Sequence, residues 1–307
     1  MKIAADNAQK LPARWITWPA IRQRAADYWM MTKPEVNFLV VASSLVGFYL
    51  ASSGPLRLGL LLNTLLGTLL VASGTATLNE YMERSHDGKM RRTAARPLPA
   101  GRIHPLEGLG FGLALSIAGG IYLDLTTNRL ACFIALLTLV LYLLLYTPLK
   151  RRTPMCTLIG AIPGAMPPLI GWAAARGSLS FEAWILYVIL FLWQFPHFSA
   201  IAWMYRQDYT RAGYLMLPPS DQKGRFMSTQ VIGFSLLLIP VTIMPALMGQ
   251  AGRIYLVGAV MLGLAFLYFG ARLAFSRSNA LARRLVLASV VYLPLIYLLM
   301  IVNKTST

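Results

Sequence analysis

Long apolar stretches alternate with short polar connections along most of the chain. Nine stretches reach the length of about 20 residues that a helix needs to cross the hydrocarbon core of a bilayer. They cover roughly 36–53, 57–78, 106–124, 129–148, 157–175, 181–203, 228–249, 252–275 and 284–302. Prolines within them are compatible with membrane helices, because neighbouring helices satisfy the freed backbone groups. The pattern predicts an all-α, polytopic membrane bundle of about nine transmembrane helices.

Composition agrees with this class. The chain is 57% hydrophobic and 13% charged, whereas a soluble domain carries about 25% charged residues. Before the first apolar stretch there is neither an unbroken apolar core nor a small-residue cleavage site, so we expect no cleaved secretory signal. We divide the chain into a basic cytoplasmic N-terminal segment, 1–31, and one intramembrane domain, 32–307. The two cysteines, Cys132 and Cys156, lack metal-ligand spacing and read as small packing residues.

The distribution of basic residues predicts the orientation. There are 28 Lys and Arg against 11 Asp and Glu, and the high hydropathy argues that this excess does not serve nucleic acid. With the N-terminus in the cytoplasm, five basic residues fall on the opposite side and the other 23 face the cytoplasm. The five are Arg57, Arg129, Arg176, Arg253 and Lys304. This bias follows the positive-inside rule. We expect a lipid-embedded protein of the bacterial plasma membrane, with the mitochondrial inner membrane as the less favoured alternative.

Three oxygen-bearing side chains follow the second apolar stretch at helical spacing. Asn79, Glu83 and Asp87 are four residues apart, so a continuing helix would place them on one face, about 5–6 Å from one another. Such ligands suit Mg²⁺, which commonly binds one or two carboxylates together with substrate phosphates. The alternative is a solvated helix end with charge pairs. The motif therefore predicts a magnesium site at this end of the bundle, provided that the helix continues.

Basic residues are interleaved with these acids. Lys89, Arg91, Arg92 and Arg96 come directly after Asp87. Arginine and lysine bind the oxygens of a diphosphate, and a metal can bridge the same oxygens to carboxylates. The positive-inside rule alone would explain why these basic residues lie on the cytoplasmic side, but not why they are interleaved with acidic residues. A further acid, Asp208, follows the sixth stretch on the same side, so two acidic sites could hold a diphosphate between them.

Three motif blocks together resemble one known family. The stretch from Asn79 through Glu83 and Asp87 to Arg96-Pro97-Leu98 resembles the first Asp-rich motif of the UbiA-type intramembrane prenyltransferases. The block 146–154, which begins Tyr-Thr-Pro-Leu-Lys, and the block 193–198, Trp-Gln-Phe-Pro-His-Phe, are similar to the branch that prenylates haem. The resemblance runs from Thr32-Lys33-Pro34 to the last apolar stretch.

The resemblance implies that farnesyl diphosphate alkylates a vinyl group of haem B to give haem O. It implies that Mg²⁺ is the cofactor, that haem B is a substrate, and that a downstream haem A synthase or oxidase assembly is a partner. The catalytic and metal-binding candidates are Asn79, Glu83, Asp87 and Asp208. The substrate-binding candidates are Lys33, Arg92, Arg96, Tyr146, Lys150, Arg151 and His197.

His197 lies inside the sixth stretch, about two turns from its cytoplasmic end. An ionisable side chain at such a position is a functional candidate. It is either an axial ligand of the haem iron or an interhelical hydrogen-bonding group.

Some positions depart from the family pattern, and two other functions stay open. Glu83 stands where the family usually has Asp, Gln207 where a second acid often occurs, and Leu215 where Pro is common. These differences bear on the number of metal ions. One alternative is a prenyltransferase of the same fold with an aromatic or chlorophyllide acceptor. The other is a transporter, which would thread polar residues through several spans, whereas here the acids cluster at the inner ends.

Overall fold

The structure is a computed structural model that describes residues 18–305. Residues 1–17, more than half of the predicted N-terminal segment, lie outside the described part. The helices are α1 (Trp18–Met31), α2 (Pro34–Ala51), α3 (Leu58–Asp87), α4 (Pro105–Thr126), α5 (Arg129–Val140), α6 (Thr147–Leu149), α7 (Cys156–Gly164), α8 (Pro167–Arg176), α9 (Phe181–Met204), α10 (Arg206–Ala212), α11 (Arg225–Leu247), α12 (Arg253–Ser276) and α13 (Asn279–Val302).

The predicted membrane bundle is confirmed. Within residues 18–305, nine helical segments are long and apolar enough to cross a membrane. Two of them are composite, because α5 and α6 belong to one span and α7 and α8 to another. The orientation of the N-terminus stays a prediction. The largest difference from the expected spans is at α3, which continues nine residues beyond position 78 and ends at Asp87.

Three local features were not predicted from the sequence. The short helices α1 and α10 flank the bundle at the end where α3 terminates. Between α5 and α6 the chain forms a π-helix, Leu141–Tyr146. The fifth span is broken at Ala165 and Met166, where Pro163 precedes the break and Pro167 starts α8. Each proline lacks a backbone N–H and so weakens a continuous helix there.

Glycines bring the N-terminal helices into close backbone contact. A side chain at Gly171 of α8 would overlap the Ser44 carbonyl of α2, and one at Gly47 would overlap the Pro168 carbonyl. A side chain at Gly74 of α3 would likewise meet α4. Small residues let membrane helices approach so closely that van der Waals packing holds them together. This packing fixes α2 against α8 and α3 against α4.

The C-terminal helices are joined by polar contacts as well as apolar packing. The Trp193 indole of α9 donates to the Ser289 carbonyl of α13 (2.9 Å), and the Ser199 hydroxyl donates to Gln230 of α11 (3.1 Å). Large side chains such as Phe275 stay exposed on the outside. An apolar outer surface is expected of a helix bundle that faces lipid.

Candidate functional site

The site is built on the last two turns of α3. Because α3 stays helical to Asp87, Asn79, Glu83 and Asp87 share one face, as their spacing requires. All three are buried, with 1%, 6% and 1% of their surface exposed. Charged residues are rarely so buried unless they are paired. The buried face therefore needs cationic partners, and the structure supplies them.

Each of these three side chains is bound by a different basic residue. Lys33 donates to the Asn79 amide oxygen (2.9 Å).

Lys150 donates to the Glu83 carboxylate (2.8 Å), and Arg96 donates to the Asp87 carboxylate (2.6 Å). The three basic residues come from the start of α2, from the end of α6 and from the loop after α3. Three oxygen acceptors and three cationic donors therefore alternate in one buried cluster, whose hydrogen bonds join residues up to 67 positions apart in sequence.

Lys33 is held in an unusual backbone conformation at the junction of α1 and α2. Its φ angle is +51°, in the left-handed region that residues with side chains seldom adopt. Burial and the nearby positive charge of Arg96 lower the pKa of its ammonium to about 8, although Glu83 and Asp87 oppose the shift. The strained turn directs this ammonium at Asn79. Strained backbone of this kind is frequently associated with functional sites.

Lys150 follows the π-helix. Its ammonium lies over the Tyr146 ring, 4.5 Å from the ring centroid. Burial lowers the pKa of Lys150, but the charge and hydrogen bond of Glu83, together with Tyr146 and Tyr142, raise it by more, so this pKa lies well above its usual range. Lys150 therefore remains a cation at neutral pH. π-Helical turns recur at functional sites because they re-aim the side chains that follow.

The orientation of the Asn79 amide is fixed by the same segment. Its nitrogen donates to the Thr147 hydroxyl (3.0 Å), and that hydroxyl donates in turn to the Tyr142 carbonyl (2.9 Å). Since the hydroxyl proton is used, the hydroxyl can only accept from Asn79. The amide oxygen therefore faces Lys33 and is the atom available to a cation.

The loop 88–104 closes over the end of α3. The Thr93 hydroxyl donates to the Asp87 carbonyl (2.8 Å), and the Leu98 backbone N–H donates to the Glu80 carboxylate (3.2 Å). Glu80 is 1% exposed and was not among the candidates from sequence. Its adjacency to Asn79 was the only signal for it. This acid serves the loop that presents Arg96 to the site.

Asp208 and Arg92 lie together in a neighbouring pocket of about 440 Å³. The Arg92 guanidinium lies 5.2 Å from the Tyr205 ring centroid, and Asp208 pairs with Arg211 (3.2 Å). Within residues 18–305 no ion pair or hydrogen bond joins Asp208 to the three α3 side chains. Its metal-binding role stays a prediction. Arg151 is exposed and lies beside His86, with 3.5 Å between their nitrogens.

Tyr214 is a site residue that the sequence did not single out. It follows Gly213 after α10 and is 6% exposed. Its ring lies 5.7 Å from that of His86 and 6.0 Å from the Lys150 ammonium. Burial and the negative charge of Glu83 raise the pKa of its hydroxyl, which keeps it a hydrogen-bond donor. A single tyrosine in a loop carries no recognisable sequence signal.

His197 faces α13. Its Nδ1 lies 2.6 Å from the Ser289 hydroxyl, which itself donates to the Val286 carbonyl (2.6 Å). Because that hydroxyl proton is used, Nδ1 must carry a hydrogen and donate. The neutral imidazole then has its lone pair on Nε2, the tautomer that can bind a metal. The interhelical hydrogen bond expected as one alternative is present, and it leaves a ligating nitrogen available.

The donor set fits magnesium held together with a diphosphate. Among the residues that the structure describes, no group of three His, Cys, Asp or Glu side chains converges on one point. Two carboxylates and one amide oxygen on α3 match the few protein ligands that Mg²⁺ takes when phosphates complete its coordination. The surrounding cations would bind the remaining phosphate oxygens.

Comparisons with known proteins agree with these features. Residues 40–294 match the model of the UbiA prenyltransferase family. A protein of Solibacter usitatus named protoheme IX farnesyltransferase is 51% identical over 91% of this chain and 98% of its own. A protein of Koribacter versatilis with the same name is 44% identical, over 94% of this chain and 96% of its own.

Solved structures match the fold at lower identity. A structure described as digeranylgeranylglyceryl phosphate synthase superposes with a TM-score of 0.74 at 18% identity, covering 92% of this chain and 98% of that one. A UbiA homologue from Archaeoglobus fulgidus, bound to GPP and Mg²⁺, superposes with a TM-score of 0.65 at 16% identity, covering 89% and 99%. These similarities establish the arrangement of helices.

Proposed function

The chain belongs to the UbiA prenyltransferase family, and from that premise we propose that it transfers a farnesyl group from farnesyl diphosphate to a vinyl group of haem B, giving haem O. Relatives that carry the name protoheme IX farnesyltransferase match nearly the whole chain at 51% and 44% identity. The observation that supports the donor half of the reaction is the buried cluster on α3, in which three oxygen ligands alternate with three cations.

The buried cluster on α3 is arranged to stabilise a diphosphate leaving group. Breaking the allylic carbon–oxygen bond leaves negative charge on the diphosphate, and preorganised cations stabilise charge that develops in a transition state. Lys33, Lys150 and Arg96 are positioned for this role. Mg²⁺ bound to Asn79, Glu83 and Asp87 would supply Lewis-acid stabilisation of the same oxygens. We propose that Arg92, Arg151 and Asp208 act on the outer side of the diphosphate.

Tyr146 and His197 are the candidates for stabilising the prenyl cation and holding the acceptor. Tyr146 lies against the Lys150 ammonium, and its ring is a candidate for stabilising an allylic cation. We propose that the vinyl group attacks this cation, and that water then adds to the resulting cation and releases a proton to give the hydroxyl of haem O. His197 would orient haem B through its Nε2 and the haem iron, with Ser289 fixing the imidazole tautomer.

The nine apolar spans place the chain in a membrane. We propose that the membrane is the bacterial plasma membrane, with the N-terminal segment 1–31 and the site on the cytoplasmic side, because most basic residues fall on that side. Haem O would then pass to a haem A synthase or to an oxidase under assembly.

The proposed reaction is tested with purified protein in detergent, supplied with haem B, farnesyl diphosphate and Mg²⁺. We expect mass spectrometry to detect haem O from the wild type, and none after EDTA treatment or in an Asp87→Ala variant that retains its helical circular dichroism. If the folded wild type consumes farnesyl diphosphate only with an aromatic or chlorophyllide acceptor, the haem assignment is wrong. If no acceptor is prenylated, the proposed chemistry is wrong as well.

A further inference from the structure

Backbone hydrogen bonds hold the segment after α10, residues 213–215, beside Lys150. The Leu215 N–H donates to the Lys150 carbonyl (2.6 Å), and the Tyr214 N–H donates to the Tyr209 carbonyl (2.8 Å). Gly213 makes the turn with a φ of +77°, a conformation that glycine adopts readily. The Tyr214 side chain is thereby held next to Lys150.

The ring of Tyr214 is enclosed by residues of the site. It lies 6.2 Å from the Tyr209 ring in an edge-on arrangement, 5.7 Å from the His86 ring and 6.0 Å from the Lys150 ammonium. Its hydroxyl is buried near the Glu83 carboxylate, but no residue in 18–305 makes a hydrogen bond of good geometry with it. Buried hydroxyls are nearly always hydrogen-bonded. An unpaired donor beside Lys150 and Glu83 indicates that a ligand with anionic oxygens belongs there.

We propose that the Tyr214 hydroxyl donates a hydrogen bond to the diphosphate of the prenyl donor and is a binding residue for that group. This inference rests on the proposed function, because the diphosphate is the ligand that the α3 cluster is assigned to hold. Lys33, Lys150 and Arg96 provide positive charge. Tyr214 adds a neutral donor at fixed geometry, which favours one orientation of the diphosphate.

The test is Tyr214→Phe, which removes the oxygen and keeps the ring. A hydrogen bond to a charged group contributes enough that its loss weakens binding by roughly 10-fold to 100-fold. We expect the KM for farnesyl diphosphate and the inhibition constant of inorganic pyrophosphate to rise together by at least about 10-fold. The KM for haem B should stay within about twofold of the wild type.

Tyr292→Phe is the matched control. Tyr292 of α13 is also buried, at 3% exposure, with an unpaired hydroxyl, but its ring stacks on Phe266 away from the α3 cluster. We expect this variant to keep wild-type constants for both substrates.

Calorimetric binding of inorganic pyrophosphate to the Mg²⁺-loaded protein separates the two hypotheses. If the wild type makes no haem O but binds pyrophosphate more tightly than Tyr214→Phe does, the haem assignment fails and the Tyr214 inference stands. If Tyr214→Phe is folded and binds pyrophosphate as tightly as the wild type, the inference is overturned, whatever the acceptor.

Discussion

The Lys150–Glu83 ion pair offers a quantitative test of the site. Its nitrogen and oxygen lie 2.8 Å apart, and the side chains are only 12% and 8% exposed. At this distance the gross attraction is about 6 kcal/mol with an effective dielectric constant of about 20. Much of this attraction offsets the cost of removing both charges from water. Removing one partner leaves the other charge buried and unpaired, which typically lowers the free energy of unfolding by about 3–5 kcal/mol. We expect Lys150→Met and Glu83→Gln each to destabilise the protein by that amount.

The variant that combines Lys150→Met and Glu83→Gln tests whether the two side chains stabilise the protein as a pair or independently. With both charges removed, no buried charge is left unpaired, and replacing a buried pair by neutral groups is often nearly neutral. We therefore expect the double variant to be more stable than either single variant, by at least about 2 kcal/mol. All three should lose transferase activity, because we propose that Glu83 and Lys150 both act on the diphosphate.

Thermal unfolding in detergent, followed by tryptophan fluorescence, measures these effects. The single variants should lower Tm by roughly 5–15 °C. Arg24→Met serves as the control, because Arg24 and its partner Glu107 are 55% and 31% exposed and exposed pairs of this kind contribute little to stability. If the double variant loses as much stability as the two single variants added together, the pair does not couple and the electrostatic reasoning is refuted.

Three further predictions follow from other contacts. Asp87→Asn should lower kcat/KM by at least about 100-fold with haem B and farnesyl diphosphate, and extra Mg²⁺ should not restore it. Ser289→Ala should weaken haem B binding about 10-fold in an absorbance titration, because His197 loses the group that fixes its tautomer; unchanged affinity and spectrum would contradict this role. Gly171→Ala should prevent stable folding through overlap with α2, whereas Gly110→Ala, which meets open space, should leave Tm unchanged or slightly raised.

The fold was predictable because each membrane helix satisfies its backbone hydrogen bonds internally. Hydropathy and length therefore locate the spans without tertiary information. The exceptions are local. The sequence ended the second span at position 78, since Asn79 and the acids after it are too polar for lipid. In the structure the face of α3 that carries Asn79, Glu83 and Asp87 is buried inside the protein, where pairing with basic residues offsets the polarity.

The candidate site was predictable where its spacing is local. Asn79, Glu83 and Asp87 lie on one helix, so their periodicity alone brings them together. Their partners come from distant segments, and pairing such as Lys33 with Asn79 across 46 residues depends on helix packing that periodicity does not specify. Tyr214 was missed for the same reason, because only its surroundings distinguish it from a packing tyrosine.

The π-helix Leu141–Tyr146 also bears on how the family tolerates changes in length. Each residue of an α-helix advances the chain by about 100° around its axis. If the same number of residues were wound as a regular α-helix, Thr147 and Lys150 would turn by about that angle, away from Asn79 and Glu83. Deleting one residue would also restore regular winding but would leave their rotational position unchanged, because the wider π-helical turn takes up one extra residue. The π-helical turn therefore sets the rotational position of these side chains. We expect loss of one residue from this stretch to be tolerated, whereas one further insertion would rotate Lys150 away from Glu83 and disable the enzyme while leaving a bundle that still spans the bilayer.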